Sequence, residues 1–84
     1  MGERLHELPL GRPGVVGSVD GDDAVKVRLL EMGLVPGTAV RVVKRAPGGD
    51  PLQLQLRGYH LSLRVSEASR VRLEGPEVPA GDEV

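Results

Sequence analysis

The clearest pattern in the chain is Leu52-Gln53-Leu54-Gln55-Leu56-Arg57, where apolar and polar residues alternate strictly. Successive side chains of a β-strand point to opposite faces, so this spacing predicts a strand with one dry and one wet side. Gly58 lets the chain turn, and Leu61, Leu63 and Val65 then alternate with His60, Ser62 and Arg64 in a further strand. Residues 39–44 place Val40 and Val42 on one face, and residues 70–74 alternate through Val71 and Leu73. Residues 14–19 are apolar but irregular: either Val15 or Val16 faces inward, and Gly17 marks a bulge or a close backbone approach.

Helical spacing occurs in one segment. Val25, Leu29 and Met32 fall at i, i+4 and i+7, and Leu30 widens that stripe. Asp22 or Asp23 is placed to cap the first turn, and Gly33 to end the helix in a left-handed conformation. A helix of about ten residues does not persist alone in water, so its apolar face must dock on the sheet. Val27 and Leu30 cannot both point along the central stripe, and Val35 follows the cap. These three residues are therefore candidates for an exposed apolar docking spot.

Between these elements, Val35-Pro36-Gly37-Thr38 has the residues of a type II turn. Residues 45–51 form a glycine- and proline-rich loop, and Ser66-Glu67-Ala68 a short link, read as a single 3₁₀ turn. Near the start, Leu5, Leu8 and Leu10 are expected to seal one side of the core. The order is strand, helix, then four strands with short links. It predicts a mostly-β fold of about five antiparallel strands with one short helix after strand 1. Curling into a small, partly open barrel reduces exposed edges. Residues 1–74 form this domain, and 75–84 read as a flexible tail with little to bury.

Composition sharpens the picture. Of the 84 residues, 25 are Val or Leu, with no Trp, Phe or Ile and a single Tyr. Valine favours strands through its branched Cβ. The net charge of −1 lacks the excess expected of a protein held on nucleic-acid phosphates. The absence of cysteine removes disulfides, thiolate metal sites and thiol chemistry. No apolar run approaches the ~20 residues that cross a bilayer, and the charged N-terminus has no signal-peptide core. A cytoplasmic location without direct membrane insertion is expected.

Catalytic chemistry finds little support. His6 and His60 have no metal-ligand spacing, and no glycine pattern builds a phosphate loop. Asp20, Asp22 and Asp23 read as a turn and helix cap rather than a cation loop, since the further ligands of such a loop are missing. No cofactor, metal site or catalytic residue is assigned. The wet sheet face carries more: Gln53, Gln55, Arg57, His60, Ser62, Arg64, Arg70 and Arg72 form one locally basic patch if strands three, four and five are neighbours. Arginine suits docking to an acidic partner because its planar fork meets carboxylates bidentately. RNA binding on the same face lacks aromatic stacking platforms beyond Tyr59.

Four blocks, taken in order, carry a resemblance over residues 8–73. They are Leu8-Pro9-Leu10-Gly11, then Arg28-Leu29-Leu30-Glu31-Met32-Gly33-Leu34-Val35-Pro36-Gly37-Thr38, then Ala46-Pro47-Gly48-Gly49-Asp50-Pro51, and Arg57-Gly58-Tyr59-His60-Leu61-Ser62-Leu63-Arg64 with Glu67-Ala68. The chain resembles the FeoA-like domain family. That resemblance implies an SH3-like barrel with a helical insertion after its first strand. It further implies a small non-catalytic accessory of ferrous-iron transport, whose partner is the cytosolic, GTPase-bearing part of a FeoB-type membrane transporter. A related domain occurs in metal-dependent repressors, but no winged helix precedes this one, so DNA binding is not expected. Two rival readings are a divalent-metal-sensing or self-associating regulatory domain and an RNA-binding SH3-like module.

Overall fold

Alternating leucine and valine build a five-stranded antiparallel sheet. The strands are β1 (Pro13–Val19), β2 (Ala39–Arg45), β3 (Leu52–Leu56), β4 (Tyr59–Leu63) and β5 (Val71–Leu73). Helix α1 (Ala24–Glu31) follows β1, and a second, four-residue helix α2 (Val65–Ala68) joins β4 to β5. The computed structural model describes residues 3–74, so the expected tail at 75–84 lies outside the described residues.

The sheet order is β4-β3-β2-β1-β5. It is curved but not closed, an SH3-like arrangement that agrees with the partly open barrel expected. The predicted dry face is dry: Leu52, Leu54, Leu56, Val40, Val42 and Val71 are fully buried, and Leu29 and Leu34 cover them from the helix side. Burying a leucine of this kind stabilises by roughly 1.5–3 kcal/mol. Docking of Leu29 is therefore what holds an eight-residue helix in place.

Local signals in the sequence explain the joints. Asp23 caps α1, its Oδ1 accepting from the Lys26 backbone N–H at 3.2 Å. Gly33 ends the helix at φ +105°, and Thr38 N–H donates to the Val35 carbonyl at 3.1 Å across the Pro36-Gly37 turn. The β1–β5 register shifts between Val16 and Ser18, which is the bulge expected at Gly17. A Cβ at Gly17 would sit 3.3 Å from the Glu74 backbone nitrogen, so a side chain there would press on the neighbouring strand.

Several expectations need correction. Val15 and Val16 are both buried, because β1 pairs with β2 over residues 13–15 and with β5 from Val16 onward. Leu5 and Leu8 seal the core, but Leu10 is 57% exposed on the turn beyond them. The link at 66–68 belongs to helix α2, which begins at Val65. Val65 leaves the β4 alternation because its backbone N–H donates to Asp50 Oδ1 at 3.0 Å.

Candidate docking surface

The wet side of the sheet is set by the β3–β4 hairpin. Its two-residue loop, Arg57-Gly58, has positive φ at both positions (49° and 82°), which matches the twist of the flanking strands. The loop fixes the register from Leu56 opposite Tyr59 to Leu52 opposite Leu63. Gln55 therefore lies opposite His60, and Gln53 opposite Ser62. Strand β2 extends both rows, placing Arg41 opposite Gln55 and Lys44 opposite Gln53; a register shift between them takes up Val43. The result is a polar outer face with the rows Arg41–Gln55–His60 and Lys44–Gln53–Ser62.

A cavity of about 140 Å³ opens beside the second row, lined by Lys44, Ala46, Pro51, Leu52, Gln53 and Ser62. Arg41 Nε is buried without a hydrogen-bond partner. Arg57 leans back from the turn and donates to Thr38 Oγ1 at 3.2 Å. Arg64 is exposed just beyond β4. Gln53, Gln55 and His60 thus share one face as expected, with Arg57 and Arg64 at its two ends.

Arg70 and Arg72 do not join them. The expected patch required strands three, four and five to be neighbours, and β5 lies at the opposite edge, against β1. There both arginines are held by the acidic turn that follows β1. Arg70 grips Asp23 bidentately at 2.7 and 3.0 Å, and Arg72 Nε donates to Asp20 Oδ1 at 3.0 Å. Arg4 also pairs with Asp20 and donates to the Ser69 carbonyl at 3.1 Å. Arg4 and then Arg72 hold the Asp20 carboxyl below its usual range. Arg70, with the Lys26 N–H, does the same for Asp23, and Asp23 in turn raises the Arg70 guanidinium. These carboxylates serve as an ion-pair clasp between the start of α1 and β5. Among the described residues, no group of three or more His, Asp or Glu is arranged to hold a metal ion.

The helix side is narrower than expected. Val27 is 53% exposed, and Val35 is half-buried. Leu30 packs against the core and so is not a free apolar contact. Beside the helix end, the half-exposed Tyr59 donates its hydroxyl to the Met32 carbonyl.

Arg41 and Lys44 are the members of the outer face that strand-by-strand reading missed. A signal for them is present: from Met32 to Arg64 the sequence holds five Lys or Arg and a single acid, Asp50.

The open five-stranded sheet and the helix inserted after β1 define a small SH3-like domain with a polar outer face. The chain belongs to the FeoA domain family, whose sequence pattern matches residues 3–75. It is 38% identical over 71 residues to the Fe(2+) transport protein A/Fe(2+) transporter FeoB fusion protein of Porphyromonas gingivalis. That match covers 84% of this chain but 8% of the relative, so the chain corresponds to a small part of that protein. Among solved structures it is similar to zinc-complexed FeoA of Stenotrophomonas maltophilia, described as a prokaryotic SH3 domain protein and a candidate activating factor of ferrous-iron transport. The two are 43% identical with a TM-score of 0.77, over 86% of this chain and 89% of that one. A FeoA-like protein of Clostridium acetobutylicum is 34% identical with a TM-score of 0.82, over 99% and 96% of the two chains. Among the described residues, no helix is long and apolar enough to cross a membrane.

Proposed function

We propose that this chain is a non-catalytic accessory domain of ferrous-iron transport that docks on the cytosolic part of a FeoB-type transporter. The observation that carries this reading is the fusion relative, in which a FeoA part and a FeoB transporter share one polypeptide. Covalent linkage raises effective concentration, and it is useful where the two parts must meet. The outer face of β2, β3 and β4, with Arg57 and Arg64 at its ends, is the surface offered to an acidic patch of the partner. Val27 and Val35 on the helix side are the secondary contacts. An accessory of this kind acts by binding one conformation of its partner better than another.

Calorimetry of the full chain against the transporter's cytosolic part, with and without guanine nucleotide, tests the reading. Binding that differs between nucleotide states is expected. No binding in any state overturns it.

A further inference from the structure

The two edges of the sheet are treated differently. Beyond β5 the edge is occupied: Leu73 N–H donates to the Glu3 carbonyl at 2.8 Å, and Arg4 bridges to Arg72 in the manner of a strand. Beyond β4, among the described residues, no strand follows. The hairpin register says which groups are left open there. A two-residue loop makes its flanking pair, Leu56 and Tyr59, a hydrogen-bonded pair, and such pairs alternate along an antiparallel ladder. Leu61 and Leu63 therefore bond back to β3. The N–H and C=O groups of His60 and Ser62 point away from the sheet, and both residues are exposed. An open edge of this kind is a template for another strand. This one is straight in register, with no bulge and no proline to blunt it.

Charge says what would pair with it. An incoming strand places the residues opposite His60 and Ser62 on the outer face, next to the cavity at Gln53 and Ser62 and between Arg57 and Arg64 at the two ends of β4. Arg41 and Lys44 lie on the same face but on β2, with β3 and β4 in between. Among the described residues no acid lies on that face, and every ion pair lies elsewhere: Arg4–Asp20, Arg12–Glu3, Arg28–Glu67, Arg70–Asp23 and Arg72–Asp20. The residue opposite Leu61 falls instead on the inner face, where Leu61 packs against the core. A second copy of β4, paired antiparallel about Leu61, would set His60 opposite Ser62 and bring Arg57 of one copy near Arg64 of the other at both ends, and like charges oppose that pairing.

We propose that β4 is a docking edge that accepts, by strand addition, an extended partner-protein segment alternating acidic and apolar residues. This rests on the docking reading above only for the identity of the partner. Main-chain bonds to His60 and Ser62 supply the register, and the cationic outer face supplies selectivity.

The test uses the full chain labelled with ¹⁵N and a blocked peptide of alternating Glu and Val, with a Lys–Val peptide as control. With the Glu–Val peptide, the amides of His60 and Ser62 shift and their hydrogen exchange slows roughly tenfold; the control does not bind. Ser62→Pro removes only an outward-facing N–H, a change an edge strand tolerates, and it weakens binding by roughly tenfold. If that variant loses its fold, the exchange rates of the unaltered protein decide. Binding that leaves His60 and Ser62 unprotected overturns the proposal, as does equal binding of the control. So does a dimer that Ser62→Pro dissolves, or tighter binding of single-stranded RNA to the same face. A transporter fragment that binds while both amides exchange freely removes the edge and spares the docking reading. A fragment that fails to bind where the peptide succeeds does the reverse.

Discussion

The molecule has two electrostatic halves. Around β5, the N-terminal segment and the start of α1, opposite charges are consumed internally: Asp20 takes two arginines and Asp23 a third. Across β2, β3 and β4 the cations have no ion-pair partner among the described residues, although Arg57 and Arg45 donate to neutral oxygens. Both halves are rich in arginine, yet arginine does different work in each. In one it ties segments distant in sequence to one another. In the other, among the described residues, it meets no carboxylate, and Arg45 and Arg57 bond neutral oxygens instead. Counting basic residues along the chain does not separate these roles; only the location of the carboxylates does.

The largest effects are expected where the halves share one core. Leu54→Ala beneath the cationic face and Val71→Ala beneath the paired one should each lower stability, Leu54→Ala by about 2–5 kcal/mol in urea unfolding. If the halves are one cooperative unit, both variants shift the same single transition. Separate transitions would break the comparison by making the halves independent.

A smaller loss is expected at the seam between helix and hairpin. Gly33→Ala places a Cβ 2.6 Å from the Tyr59 hydroxyl at φ +105°, and should cost about 1–3 kcal/mol, read the same way. Tyr59→Phe removes the bond to the Met32 carbonyl without that strain and should cost less.

Next comes the clasp itself. Asp20→Asn releases Arg4 and Arg72 together and should lower the thermal midpoint, whereas Lys44→Ala on the other half should leave it unchanged. Acid sharpens the same contrast. Asp20 and Asp23 have lowered folded-state values, so their contribution is complete above the ordinary carboxylate range. It is lost as pH falls through the lowered values. The wild-type midpoint should therefore drop on acidification below about pH 4, and Asp20→Asn should flatten that drop. An unchanged slope would show that the clasp contributes little to the folded state.

The smallest effect on stability should accompany a large one on binding. Arg64→Gln combined with Lys44→Ala should leave the unfolding midpoint in place. The same pair should weaken capture of an acidic partner and reduce its sensitivity to salt.

Much of the fold was legible because it rests on local rules. The Leu52–Leu56 alternation, the Asp23 cap, the Gly33 stop and the Pro36-Gly37 turn each follow from the residues at hand. The outer face was legible strand by strand: Gln53, Gln55 and His60 could be assigned to the wet side from period alone. Leu30 was misplaced because a helix of this length buries a stripe wide enough to include it. Leu10 was misplaced because a turn carries it past the edge of the core.

What the sequence determined by itself was which side chains turn inward, since a strand's period of two and a helix's caps are properties of neighbouring residues. What only the tertiary structure decided was which strands lie side by side. Sending β5 to the far edge took Arg70 and Arg72 from the outer face to the acidic turn and left β4, among the described residues, as the open margin. Strand order is a long-range choice, made by how the whole apolar surface is covered, and no local spacing encodes it.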